Sequence, residues 1–120
     1  MKEKGMRRMI IASLLVGLSA APVMAADRTG FQAITAGDYS AAEQTLVAER
    51  RIFPRRPELM INLAAVYART GRSSEAASLY RAALQADDVE MAMPNGAVAS
   101  SRAVAQRGLD RLGGVTLATR

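Results

Sequence analysis

The sequence predicts an all-α fold, two helix pairs followed by a C-terminal capping helix, and three observations carry that expectation. The chain repeats itself with a period of 34 residues: Gly30, Gly37, Ala42, Leu46 and Glu49 are answered by Ala64, Gly71, Ala76, Tyr80 and Ala83. Gly37 and Gly71 each follow a helical stretch, where the left-handed conformation that ends a helix is open chiefly to glycine. Beyond the repeat, Val98, Ala105, Leu109 and Leu112 fall on one helical stripe.

Lys2, Lys4, Arg7 and Arg8 form a basic head, and an uncharged run from Met9 to Ala26 follows, with an apolar heart between Ile10 and Leu18. The run closes on small residues, with Val23 and Ala25 suited to the shallow pockets of a signal peptidase. A basic head, an apolar middle and a small-residue junction are the parts of a secretory signal peptide. Residues 1–25 are expected to be that signal, cut after Ala25 or, as second choice, after Ala26. The expected destination is the periplasm or the medium. The alternative is an uncleaved anchor, since the run approaches the ~20 residues that span a bilayer. Pro22 and the small-residue ending favour cleavage. Arg7 and Arg8 run straight into the apolar core, which favours the general secretory route over twin-arginine export. No cysteine is present, so neither a lipoprotein anchor nor a disulfide is available.

The signal also changes the meaning of the net charge of +5. Residues 1–26 hold four of the sixteen basic residues and one of the eleven acidic ones, which leaves twelve and ten, a net of +2. Nucleic-acid affinity rests on dense phosphate contacts, so a nearly balanced exported chain is not expected to bind nucleic acid. All twelve remaining cations are arginines.

The first pair begins at Gly30, Phe31 and Ile34, turns at Gly37-Asp38-Tyr39 and continues through Ala42 and Leu46 to Pro54. The second reads Met60-x-x-Leu63-Ala64-x-x-Tyr67, turns at Thr70-Gly71-Arg72 and continues through Ala76, Tyr80, Ala83 and Leu84. Ala42 and Ala76 are small where two helices must approach closely, and Leu46, Tyr67, Tyr80 and Leu84 are bulky enough to fill the groove between neighbours. Pro57 suits the first turn of a helix, where its missing N–H is not needed, and Glu58 complements the dipole there. Ser73 or Ser74 is the expected N-cap of the next helix.

These residues resemble the tetratricopeptide repeat, a 34-residue unit of two helices and a turn, with Met60 in place of the usual tryptophan. The resemblance covers about residues 28–88 and implies a short α-solenoid of two such pairs over 27–88, the first truncated. It also implies a non-catalytic protein-protein interaction or assembly module of the bacterial cell envelope, or, if the first segment stays uncut, a membrane-tethered subunit of an envelope complex. Ligand peptides in this family lie along the face made by the first helix of each pair. In the second copy that face carries Glu58, Ile61, Asn62, Ala65 and Arg69, of which Ile61, Asn62, Ala65 and Arg69 are the expected partner-binding residues. The family's carboxylate-clamping version uses lysines, and none follows the signal.

From Asp87 the register fails. Residues 89–96 are expected to be a loop with a turn at Pro94-Asn95-Gly96, residues 97–113 a capping helix stopped by Gly113-Gly114, and 114–120 a loose tail. Stacked repeats need such a cap over an apolar end.

Little in the sequence suggests chemistry. It holds no His, Cys or Trp, which removes the commonest general base, thiol nucleophiles and most metal ligands. Asp87, Asp88 and Glu90 lack the alternation and glycine of a calcium loop and read as a solvated loop. Ser100 and Ser101 have no partner base. No enzymatic activity, cofactor or metal is therefore expected. Arg50, Arg51, Arg55 and Arg56, around Ile52-Phe53-Pro54, form a candidate anion-binding patch, although Arg50 and Arg51 also suit a helix C-terminus. Two pairs and a cap bury little surface for their length, so contact with a partner protein or peptide, or self-association, is expected.

Overall fold

The computed structural model describes residues 27–118, with side chains through Gly114. The proposed signal 1–25, its cut after Ala25 and the last two residues of the tail lie outside the described residues. Among those described, the chain is mostly helical: α1 (Phe31–Thr35), α2 (Tyr39–Ile52), α3 (Pro57–Arg69), α4 (Ser73–Gln85), a hairpin of β1 (Glu90–Ala92) and β2 (Val98–Ser100), and α5 (Ser101–Ala118). Each helix packs on its predecessor, through a short connection in every case but α4–α5, which the hairpin joins, and α5 also reaches α3.

The 34-residue period is visible in the backbone. Gly37 and Gly71 adopt φ of 78° and 80°. Each is followed by a donor that reaches back five residues, Asp38 N–H to Ala33 O and Arg72 N–H to Tyr67 O, both at 2.8 Å. These bonds satisfy carbonyls that a helix end would leave open. The helices after the two turns begin differently. Asp38 caps α2 by accepting from the Ala41 N–H at 3.2 Å. Ahead of α4, by contrast, the residue at the cap is Arg72, with no side-chain bond to the helix, so neither Ser73 nor Ser74 is the N-cap.

One apolar core runs through the stack. Ala42, Leu46, Leu59, Leu63, Ala64, Val66, Ala76 and Ala83 are almost wholly enclosed, and Tyr80 and Ala105 join them. The small residues stand where helices touch. Pro57 opens α3 as expected, buried and with Glu58 in the first turn.

The last third departs from the sequence-based expectation in two ways. Residues 89–96 are not simply a loop: β1 and β2 pair antiparallel, Glu90 with Ser100, Met91 with Ala99 and Ala92 with Val98. Met91 turns into the core while Glu90 and Ala92 face outward. Gly96 at φ 83° closes the turn, with Gly96 N–H donating to Met93 O at 2.9 Å. Val98 therefore sits in a strand, exposed, rather than on the helical stripe. The capping helix starts at Ser101 and not at 97, because the hairpin uses the intervening residues. It also passes through Gly113-Gly114, neither of which takes a positive φ. An internal glycine weakens a helix by only about 0.5–1 kcal/mol, and two of them do not end this one.

A polar junction anchors α5. Asp88 Oδ1 accepts from the Arg102 N–H at 3.1 Å and from Ser101 Oγ at 3.2 Å. Ser101, fully buried, also accepts from the Val89 N–H at 3.0 Å. Asp88 thus caps the helix from thirteen residues upstream of Ser101: it is the exposed loop residue that its neighbours suggest, but it has a structural partner. The Arg102 N–H holds its carboxyl below the usual range.

Candidate functional site

A groove of about 510 Å³ opens between the segment leading into α1, α1 itself, the start of α3 and the hairpin. Its apolar lining comes from Phe31, Met91 and Ala92, its polar lining from Thr29, Gln32 and Asn62, and its charges from Asp27, Glu58, Glu90 and Arg28. Three carboxylates against one guanidinium give this cleft an acidic edge. Phe31 remains 42 % exposed on it, a large apolar ring held in water.

The groove is shaped by two contacts from the chain's first described residues. Asp27 accepts from the Ala33 N–H at 3.1 Å and so supplies a cap for α1 that Gly30 cannot. Asn62 Nδ2 donates to Thr29 O at 2.8 Å, across 33 residues of sequence. That bond fastens the segment before α1 against α3. Glu58 is 3.7 Å from Arg56 Nε in a partly exposed pair.

The four residues expected to meet a partner separate in the structure. Asn62 lines the groove, but its amide is engaged by Thr29. Ile61 is buried in the core and unavailable to a ligand, because its position faces inward on α3. Ala65 is half-buried and is not part of the groove lining. Arg69 lies at the other end of α3, where its guanidinium donates to Tyr39 Oη at 3.1 Å.

The arginine cluster is likewise divided. Arg50 is half-buried, with its Nε enclosed and without a hydrogen-bond partner. Arg51, Arg55 and Arg56 are exposed, and Arg56 stacks over the Phe53 ring at 4.9 Å while pairing with Glu58. Ile52 and Phe53 project between them, 64 % and 40 % exposed.

A further cation escaped the sequence reading. Arg72 forms a two-bonded pair with Glu43 of α2, one arm at 3.1 Å, and lies over the Tyr67 ring at 4.4 Å. The guanidinium holds Glu43 below the ordinary carboxylate range. Bidentate geometry of this kind orients a pair as well as strengthening it, and here it joins the two helix pairs.

The hairpin side of the groove also went unforeseen. Its signal was available in the alternation Glu90-Met91-Ala92 ahead of the Pro94-Asn95-Gly96 turn, although three residues are too few for a firm strand pattern. Comparison of the chain with protein-family models, with curated proteins and with solved structures gave no match.

Proposed function

We propose that this chain is a non-catalytic, exported tetratricopeptide-type module that binds or assembles proteins in the bacterial envelope through the groove beside α1. One observation carries the reading: an open cleft in which Phe31 is left exposed against Met91 and Ala92. Contiguous apolar surface rimmed by polar groups marks protein contacts, and aromatic side chains are common anchors in them. The repeat reading is supported by the twin turns at Gly37 and Gly71 and by the burial of Ala42 with Ala76 and of Leu46 with Tyr80. Each of those pairs is 34 residues apart. The exported location rests on the basic head, apolar run and small-residue junction of residues 1–26.

The test is site-specific photo-crosslinking in the native envelope. A photoreactive residue at Gln32, in the groove, is expected to give a discrete protein adduct, whereas one at the exposed Ser78 on α4 is not. Equal labelling from both sites, or none from Gln32, removes the groove as a binding surface.

A further inference from the structure

We propose that the groove is filled by the Arg50–Arg56 corner of a second copy of this chain. The inference rests on the groove reading above and names its occupant. Four large apolar side chains are exposed among the described residues: Phe31, Ile52, Phe53 and Val98. Ile52 and Phe53 form the corner between α2 and α3, and Phe31 lies in the groove. Val98 is paired with Ala92, which lines the groove wall. Three of the four therefore belong to these two surfaces, and Val98 lines a separate cleft with Met93 and Arg107.

The charges of those surfaces are opposite. The corner presents Arg51 and Arg55 beside its apolar pair, with Arg50 partly enclosed and Arg56 paired with Glu58 of the same chain. The groove presents Asp27 and Glu90 against the single Arg28, its third carboxylate, Glu58, being paired with Arg56. Glu90 and Arg55 are exposed, and neither forms an ion pair among the described residues, so both can meet another molecule. Apolar side chains set among arginines, meeting an apolar cleft edged by carboxylates, combine the burial and the electrostatic matching on which specific interfaces depend. Arginine suits this task better than lysine, since its planar fork is weakly hydrated and pairs bidentately with carboxylates.

Position adds a reason for a second copy rather than an unrelated basic peptide. Both surfaces meet at the first turn of α3, where Arg56 precedes the helix and Glu58 lines the groove. A two-fold axis near that turn brings each corner to the other copy's groove, so the same contact is made twice. The association also buries apolar surface that so short a stack leaves in water.

The experiment uses the full-length chain with a C-terminal tag, purified as the cell processes it, and reads its mass by sedimentation equilibrium. The expected result is a dimer that dissociates as salt is raised. Glu90→Arg alone and Arg55→Glu alone each keep the helical circular dichroism and weaken the dimer at least about tenfold. Mixing the two variants restores a heterodimer, because the reversed charges face each other at one site and the native ones at the other. A monomer at every concentration, or a dimer that neither reversal weakens, overturns the proposal. Photo-crosslinking from Gln32 separates this inference from the reading beneath it. An adduct with another protein and none with a second copy keeps the groove and overturns the second copy, whereas no adduct at all removes both.

Discussion

Two single residues show how closely the helices are fitted. Gly108 sits in α5 against Tyr80, and a Cβ built there lies 2.3 Å from the ring's Cζ. Alanine at this position gains helix propensity of about 0.5–1 kcal/mol but must displace a ring that is 6 % exposed and packed on all sides. Overpacking of this kind costs about 1–3 kcal/mol, so Gly108→Ala is expected to lower stability in urea denaturation. Shortening the opposing ring with Tyr80→Leu should reverse the sign, making alanine favourable in the double variant. Strict additivity in that cycle would show that the two side chains do not meet. Arg50 presents the opposite case, a donor enclosed without an acceptor. Arg50→Met keeps the aliphatic stem and removes the stranded Nε, and in dilute solution it is expected to be neutral or to stabilise by up to about 1 kcal/mol. A loss beyond that range would mean that the guanidinium has a partner in solution.

At the scale of elements, α1 and the α4–α5 junction depend on polar contacts more than on burial. No residue of α1 is buried, and its segment is held by Asp27 and by the Asn62–Thr29 bond. Asn62→Ala should therefore speed amide exchange of residues 30–37 well before it moves the global unfolding midpoint. Equal acceleration across α3 would show a general destabilisation instead. Acid should act on two other contacts. Glu43 and Asp88 both have pKa values below their ordinary 4.5 and 3.8, Glu43 through Arg72 and Asp88 chiefly through the Arg102 N–H. A carboxyl lowered in the folded state binds fewer protons there than in the unfolded chain. Its contribution is complete above the ordinary pKa and fades as pH falls through the folded one. Thermal midpoints should consequently decline below about pH 4.5, and Asp88→Asn should flatten that decline while lowering the plateau at neutral pH. These elements were unequally legible in sequence. The Gly37 and Gly71 turns announce themselves, because few other residues take their φ, and Pro57 marks the start of α3. The hairpin was hidden by its brevity, and Asp88 by distance, since its helix begins thirteen residues later. Gly113-Gly114 misled for a physical reason: glycine permits a left-handed stop without requiring one.

At the scale of the whole molecule, the core is continuous from Ala42 through Leu63 and Tyr80 to Ala105, so the described stack should unfold as one unit. Circular dichroism and tyrosine fluorescence are expected to give coincident urea transitions, the test of two-state behaviour. Leu63→Ala, at the centre, should shift both together by about 2–5 kcal/mol. Separated transitions would divide the stack between its two pairs. The pattern of buried residues within this core was readable from the 34-residue period, which places Ala42 with Ala76 and Leu46 with Tyr80. The groove was not, because its walls come from three separate stretches, 27–32, 58–62 and 90–92. Periodicity reports which face of a helix is covered, and it carries no information about what a distant hairpin brings alongside.

That hairpin separates two demands that usually compete. Its inward Met91 belongs to the core and shows an edge to the cleft, while Glu90 and Ala92 lie outside the core and line the cleft, and its tip, residues 93–97, is part of neither. Insertions in such a tip leave the helices' contacts intact, and exchanges at 90 and 92 reshape the cleft without disturbing what holds the stack together. Descendants of this chain, or a protein engineer, have in those few positions a dial for choosing partners that turns independently of stability.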